Sequence, residues 1–329
     1  MSTASASRVA VVTTALALAV PAAPAVADGL PLPVEDSPSG VRSHDGDSRY
    51  LGVTLGDRTA VLAQRSATGA VTSRVNLRGR FSIPLVAYDS TAGGVSADGR
   101  TLVLIRPRAR FPRAQTTFAV MSLKPRLRLR RIVRLRGDFS YDALSPDGTA
   151  LFLVNYISRT DPAKYRVRVY DLARNRLAPK AIVDPRESPD EMNGFAVTRA
   201  SSADGRWAYT LYDGAGKHPF IHALDTRARR AVCIDLHGAA FRTKDVYDLR
   251  LAIAAGGELH VRRGSAVAAV VDPTTFGVSA PRTSPPARAD AGDHRPMQLW
   301  PALTIALLIA VVVAARWARA RSRLRSSAV

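Results

Sequence analysis

The chain has 329 residues, with 47 lysines and arginines against 27 aspartates and glutamates and a formal net charge of +20. Its hydrophobic fraction of 47% is large enough to build a core, which excludes a wholly disordered chain. The single cysteine excludes a disulfide-rich scaffold and a zinc site made of several cysteines.

The N-terminus has the pattern of a secretory signal peptide. Arg8 is its only charged residue, an apolar run of 12 residues covers 9–20, and Ala25 and Ala27 are the small residues that signal peptidase requires. Such a run is too short to span about 30 Å of hydrocarbon. We therefore expect a cleaved signal peptide over 1–27, with an uncleaved anchor as the alternative.

A turn motif recurs through residues 28–278, with copies about 50 residues apart. Its clearest form is Ser-x-Asp-Gly followed by an apolar run. Aspartate accepts hydrogen bonds from nearby backbone N–H groups and glycine adopts positive φ, so each copy predicts a tight turn before a β-strand. The five copies are Asp45-Gly46, Asp98-Gly99, Asp147-Gly148, Asp204-Gly205 and Gly256-Gly257.

A second turn follows each of these strands and is best seen at Asp171, Asp225 and Asp272. Each repeat therefore predicts about four short antiparallel strands, which is what a β-propeller blade requires. Five repeats are visible, and six or seven blades stay open if irregular segments such as 184–195 contain further strands. No helical periodicity interrupts the repeats, which argues against an α/β fold.

The segment from Ser145 to Tyr156, with Ser-Pro-Asp147-Gly148 at its start, resembles the WD40-like repeats of bacterial TolB-type and YVTN/lactonase-like β-propellers. The resemblance covers most of 43–278. It implies an all-β fold, a β-propeller of four-stranded blades. It implies little about activity, because propellers of this kind include scaffolds, sensors and enzymes.

An arginine-rich segment, 106–136, contains eleven cations and no acidic residue. Period-two alternation predicts Arg126, Arg128 and Arg130 on one face of a strand, and the parity slips after Arg131 as a β-bulge would cause. One interpretation is a solvated outer strand protected by charge against edge pairing; the other is a contact with lipid head groups, phosphorylated polymers or an acidic protein. Nucleic acid is disfavoured as a partner, because the predicted compartment is outside the cell and no aromatic residues interleave.

Carboxylates concentrate in the longest loop-like segment, 184–195. Propeller ligands usually bind where loops surround the central channel, so this loop and polar residues of the presumed inner strands form the candidate ligand site. The alternative is a solvated loop. The candidate residues are Tyr141, Asp142, Glu187, Glu191, Asn193, Arg199 and Asp248.

Other patterns predict no chemistry. His218 and His222 would face the same side of a strand, but no carboxylate is placed beside them by spacing, so surface or core histidines are expected. The run from Asp213 to Lys217 lacks the spacing and the helix of a phosphate loop. Cys233 lies in an apolar strand and is expected to be a small buried hydrophobe. We predict no catalytic residue, metal or cofactor.

The C-terminal region has the pattern of a membrane anchor. Residues 297–315 form an uncharged run of 19, with Trp300 and Trp317 at its two edges and five arginines in the tail that follows. At 1.5 Å per residue the run spans the hydrocarbon, and its basic tail, 316–329, is expected in the cytoplasm. A buried core helix is the alternative; a cell-wall sorting signal is disfavoured because no LPxTG-type motif precedes the run. Residues 279–296 are expected to form an extended stalk.

Together, these patterns predict a single-pass membrane protein with an extracytoplasmic β-propeller. We expect it to bind a protein or an anionic envelope polymer as a scaffold or sensor, without enzymatic activity. The alternative is a lactonase-like hydrolase whose site lies at the mouth of the central channel.

Overall fold

A computed structural model of the chain describes residues 39–187 and 193–281. The predicted signal peptide, membrane helix and cytoplasmic tail, and all but the first three residues of the predicted stalk, lie outside these ranges, as does Glu191. Among the described residues, no helix has the length and apolar character needed to cross a bilayer.

The described residues form an all-β fold of five antiparallel sheets that follow one another along the chain. Sheet 1 contains β1 (Val41–Arg42), β2 (Ser48–Leu55), β3 (Arg58–Arg65) and β4 (Val71–Arg78). Sheet 2 contains β5 (Thr101–Ile105), β6 (Gln115–Ser122) and β7 (Arg128–Arg136). Sheet 3 contains β8 (Phe139–Leu144), β9 (Ala150–Tyr156), β10 (Tyr165–Asp171) and β11 (Arg176–Ile182).

Sheet 4 contains β12 (Ala196–Ser201), β13 (Trp207–Tyr212), β14 (Phe220–Asp225) and β15 (Arg230–Asp235). Sheet 5 contains β16 (Leu249–Ile253), β17 (Leu259–Arg263), β18 (Ala266–Val271) and β19 (Val278–Ser279). Short 3-10 helices cover Gly214–Gly216, Ala239–Phe241 and Thr243–Asp248. Strands pair in sequence order within every sheet, so each of the five predicted repeats corresponds to one sheet.

The Ser-x-Asp-Gly turns share one hydrogen-bond pattern. In the Ser145 turn, the Gly148 N–H donates to the Ser145 carbonyl at 2.9 Å, and the Ser145 hydroxyl donates to Asp147 at 2.6 Å. The same hydroxyl oxygen accepts the N–H of Ala150, the first residue of β9, at 2.9 Å. Gly148 has φ +65°, a conformation that favours glycine. Equivalent bonds precede β2, β5 and β13 at Asp45-Gly46, Asp98-Gly99 and Asp204-Gly205.

Sheet 2 has three strands instead of the predicted four. In place of a first strand, Ser82 pairs with Ile105 and Val95 pairs with Leu102, so two separate segments cover the inner edge of β5. Pro84 has no N–H to donate, which prevents a continuous ladder strand between them. The intervening residues leave the sheet as a hairpin.

This hairpin, residues 84–93, reaches from sheet 2 to sheet 4. The backbone N–H groups of Tyr88 and Asp89 donate to carbonyls of β12 at 2.9 and 3.1 Å. The Tyr88 ring packs edge-on against Tyr247, with 5.1 Å between ring centroids. The hairpin therefore connects two sheets that are not neighbours in the series.

Four buried apolar clusters join successive sheets, from sheet 1 to sheet 5. β5 illustrates the cause: all five of its residues are buried, with Leu102 and Leu104 packed toward sheet 1 and Val103 and Ile105 toward sheet 3. A strand covered on both faces requires such a continuous apolar run. Within the described ranges, no buried apolar cluster joins sheet 5 to sheet 1.

Candidate functional site

The first strands of sheets 1, 3 and 4 meet the split first strand of sheet 2 around a central cavity of about 300 Å³. Arg42 of sheet 1, residues 92–95 of sheet 2, and Tyr141 and Asp142 of β8 line it together with Arg199 of β12. Three of the predicted site residues, Tyr141, Asp142 and Arg199, are therefore brought together, on strands from two different sheets.

A buried ion pair joins sheets 3 and 4 at this cavity. One Nη of Arg199 donates to the Asp142 carboxylate, and the other donates to the Asp142 carbonyl at 2.8 Å. Their side chains are only 6% and 2% exposed. Burying a charge is costly unless it is paired and hydrogen-bonded, so removing either residue would leave the other as an uncompensated buried charge.

Tyr141 stands beside this pair and packs closely on the backbone of Gly93. A Cβ at position 93 would come within 2.5 Å of the Tyr141 ring, so the aromatic ring occupies space that any other residue would need. Burial raises the pKa of Tyr141 above its ordinary value, although a hydrogen bond from the Gly94 backbone opposes the shift. Tyr141 therefore lines the cavity as a neutral side chain that can form hydrogen bonds.

A row of buried polar residues extends outward from the ion pair between sheets 3 and 4. The register places Arg199 opposite Thr210, Thr210 opposite His222, and His222 opposite Cys233. The side-chain atoms that lack a hydrogen-bond partner here include one Asp142 oxygen, the Arg199 Nε, the Thr210 hydroxyl and both His222 nitrogens. Buried polar groups without partners are rare and costly, so this row is an unfavourable part of the described core that calls for an explanation.

His222 is the titratable member of this row and is 1% exposed. Burial lowers its pKa to about 4; the Asp142 carboxylate opposes the shift and the Arg199 guanidinium reinforces it. The imidazole is therefore neutral at physiological pH. Sequence reasoning assigned His222 to the surface or the core without a role; the useful signal was a histidine inside the apolar run Phe-Ile-His-Ala-Leu.

The other predicted site residues that the structure describes do not lie at the cavity. Glu187 and Asn193 line a separate pocket of about 140 Å³ beside Cys233 of β15. Asp248 is exposed at the end of a 3-10 helix, with its carboxylate 3.7 Å from Arg263. Cys233 is half-buried in this outer pocket instead of fully buried, and burial raises the pKa of its thiol to about 12.

The arginine-rich segment is divided into two structural parts. Arg108 and Arg113 are buried against the Asp138 carboxylate, to which they donate at 2.8 and 3.1 Å. Asp138 lies two residues beyond the segment, which is why the segment alone showed no compensating acid. These two arginines are fixed structural residues.

The second part forms an exposed row on the outer edge of sheet 2, since β7 pairs only with β6. The predicted β-bulge is present at Arg130, one residue earlier than the predicted slip: Leu129 pairs with Met121 and Arg131 with Val120. Leu129 is exposed, so the predicted separation of arginine and leucine faces is incomplete. The exposed row, called here the arginine strand, consists of Arg126, Arg128, Arg130, Arg134 and Arg136.

Comparisons with known proteins give structural likeness only. No family model matches the chain, and no curated protein matches it. The structure is similar to hydrazine synthase of Kuenenia stuttgartiensis, with 14% identity, a TM-score of 0.45, and coverage of 79% of this chain and 69% of that one. It is similar to the β-propeller domain of Myceliophteria thermophila Cps50 (Swd1), with 12% identity, a TM-score of 0.44, and coverage of 74% and 72%.

TolB from Acinetobacter baumannii is also similar, with 15% identity, a TM-score of 0.40, and coverage of 70% of this chain and 50% of that one. The predicted resemblance to TolB-type and WD40-like propellers thus has counterparts among solved structures. At these identities the likeness concerns the fold, and the activity has to be argued from the residues of this chain.

Proposed function

We propose that the chain is a membrane-anchored, extracytoplasmic β-propeller that binds an anionic envelope polymer through its arginine strand. The observation that carries the proposal is the exposed row of five arginines on one strand edge. None of the five makes an ion pair with a described residue. Their charges are therefore available to an external anion.

Protection against edge pairing explains this row of arginines less well than binding to an anionic partner does. β11 is also an outer strand and carries two cations, Arg176 and Lys180, so edge protection alone does not account for the larger number here. The five exposed arginines and Arg131 place six cations within 11 positions, where they repel one another, and a binding role would offset that cost.

Alternate residues of a strand lie about 6.6 Å apart, which is the spacing of Arg134 and Arg136. The bulge at Arg130 turns Arg128 to the other face of β7, so this edge strand presents cations on both of its faces, where a polymer with repeated anionic groups could contact several of them.

The compartment follows from the sequence patterns at the two ends. A cleaved signal peptide over 1–27 and a membrane helix over 297–315 would place the five sheets outside the cell and the tail inside. Phosphate-bearing polymers and anionic lipid head groups are present at that surface. An acidic protein is the competing partner.

The test compares the full-length chain in detergent with a variant carrying Arg126→Glu, Arg128→Glu and Arg130→Glu. Retention on a phosphate-bearing wall polymer is measured over a salt series, with an uncharged polysaccharide as the baseline. Because charge reversal replaces attraction with repulsion, we expect the variant to lose at least ~10-fold in affinity and most of its salt dependence.

A control variant makes the same change in net charge at scattered exposed sites of sheet 3, namely Arg159→Glu, Arg176→Glu and Lys180→Glu. It should bind nearly as well as the parent chain. If both variants bind as the parent does, the arginine strand is not the binding surface; if both lose binding equally, net charge and not this strand is responsible. Retention of acidic proteins but not of the polymer would indicate the competing partner.

The hydrolase alternative has less support. Among the described residues that line the central cavity, the carboxylate is that of Asp142, and Arg199 holds one of its oxygens. A general base needs a carboxylate within hydrogen-bond reach of the substrate, whereas the Asp142 side chain is 2% exposed and lies against the guanidinium.

A further inference from the structure

Two residues that line the outer pocket of sheet 4, His218 and Asp235, lie close to a third exposed side chain, that of His237. Each offers one ligand atom, and these atoms all lie within 4.8 Å of one another. We propose that they form a site for a divalent transition-metal ion of the zinc type. The proposal is independent of the proposed function.

The sheet register explains why these residues meet. β14 and β15 pair with Phe220 opposite Asp235, and the ladder continues where the Leu236 N–H donates to the Pro219 carbonyl at 2.9 Å. One more step along the ladder places His218 opposite His237, and their ring centroids are 4.7 Å apart. Asp235 is the last residue of β15 and lies two residues before His237, so where the pairing continues their side chains point to the same face.

The distances suit a metal with small adjustments. His218 Nε2 and Asp235 Oδ1 are 3.1 Å apart. Ligand atoms about 2.0–2.1 Å from a tetrahedral zinc ion lie about 3.3 Å from each other. The side chains of His218 and Asp235 are 46% and 42% exposed, so they rotate freely enough to close the remaining gap.

The donor set identifies the class of metal. Two imidazoles and one carboxylate suit zinc and its neighbours, whereas calcium and magnesium prefer oxygen ligands alone. Three protein ligands leave a fourth position open, an arrangement found where zinc binds a further ligand and unlike the closed sites that only stabilise a fold. The described cluster is thus a three-residue site with one open position.

The open position has room for a small ligand. The pocket of about 140 Å³ beside it is lined by Glu187, Lys217 and Phe220, among others. A water molecule occupies about 30 Å³ in the liquid, so the pocket accommodates more than one. Water is therefore sufficient to fill the fourth position of the metal ion.

The experiment titrates cobalt(II) into the full-length chain in detergent after treatment with a chelator. Four-coordinate cobalt(II) absorbs strongly in the visible range, and added zinc should displace it. We expect one equivalent of cobalt to bind with this spectrum. His218→Gln and His237→Gln should each weaken binding by at least ~10-fold, which is the lower end of what even supporting residues of metal sites contribute.

His260→Gln is the matched control, because His260 also faces a carboxylate, with 3.6 Å between its Nε2 and Glu258. No third ligand of the described residues joins that pair, so this variant should bind cobalt as the parent does. Unfolding temperature with and without zinc is measured for every variant, since a site in the folded state must raise it. The proposal is overturned if the parent shows no four-coordinate spectrum, if the double variant His218→Gln, His237→Gln retains it, or if the control loses it equally.

Discussion

His222 makes the stability of the protein depend on pH in a predictable window. Its pKa is 6.5 in an unfolded chain and about 4 in the folded protein, mainly because of burial. Between these two values the unfolded chain binds the proton and the folded protein does not, so acidification favours unfolding. Since one pKa unit corresponds to about 1.4 kcal/mol, the loss reaches about 3 kcal/mol as the pH falls from 7.5 to 4.

The perturbation is His222→Leu. Neither ring nitrogen of His222 has a hydrogen-bond partner, so the apolar replacement abandons no bond and should change stability by less than about 1.5 kcal/mol at pH 7.5. At pH 4 the variant should be more stable than the parent by about 3 kcal/mol relative to their difference at pH 7.5. His222→Gln, which also cannot titrate, should show the same pH dependence.

The assay is urea unfolding of residues 28–281 across this pH range, followed by tryptophan fluorescence. Trp207 is the only tryptophan in that fragment, and it stacks on Tyr209 with 5.8 Å between ring centroids, so its emission reports on sheet 4. All other titrating groups are shared by the variants, so their difference isolates His222. Parallel curves for parent and both variants would refute the argument that His222 is buried in its neutral form.

Three other outcomes are expected. Asp138→Asn should destabilise the protein by about 3 kcal/mol in the same urea assay, because the guanidinium groups of Arg108 and Arg113 lose their counter-charge. The control Asp57→Asn, at an exposed position, should change stability by less than about 0.5 kcal/mol. Gly148→Ala should lower the free energy of unfolding by about 2 kcal/mol more than Gly46→Ala does. Both glycines have positive φ, but only a Cβ at position 148 would come within 2.4 Å of Thr101. Equal losses in thermal unfolding would contradict this packing argument. Deleting 297–329 should release the chain from the membrane fraction into the extracytoplasmic soluble fraction, and retention of the truncated chain in membranes would oppose the proposed anchor.

The repeat could be predicted because its chemistry is local. Ser145, Asp147 and Gly148 bond to one another and to the next strand within six residues, so their order in the sequence carries the turn directly. The missing strand of sheet 2 could not be predicted in the same way. Its position is covered by two segments on either side of Pro84 and a hairpin, and nothing in the turn spacing records that division.

The candidate sites depended on contacts between distant parts of the chain. Tyr141, Asp142 and Arg199 were predicted from their places near inner strands, and the structure does place them around one cavity. Glu187 and Asn193 were assigned to the same site because they share a loop with other polar residues, but that loop follows β11 and leads to the outer pocket.

The histidine cluster shows most clearly which contacts cannot be predicted from spacing along the sequence. His218 was compared with His222 because the two are close in sequence, whereas the residue opposite His218 is His237. Only the register of β14 with β15 reveals that pairing, and register is set by the whole sheet and not by spacing along one strand. His218 is exposed and His222 is buried, which agrees with the prediction of surface or core histidines, but the proximity of His218 to His237 could not be predicted.

The hairpin of residues 84–93 has a consequence for how the molecule unfolds. In a row of modules that touch only their neighbours, either end can open while the rest stays intact. Here, the backbone bonds from Tyr88 and Asp89 to β12 close a loop that contains sheets 2, 3 and 4. Peeling any one of these sheets away would have to break those bonds as well. Sheets 2 to 4 should thus exchange their amide hydrogens as a single cooperative unit, while sheets 1 and 5 open separately at its two ends.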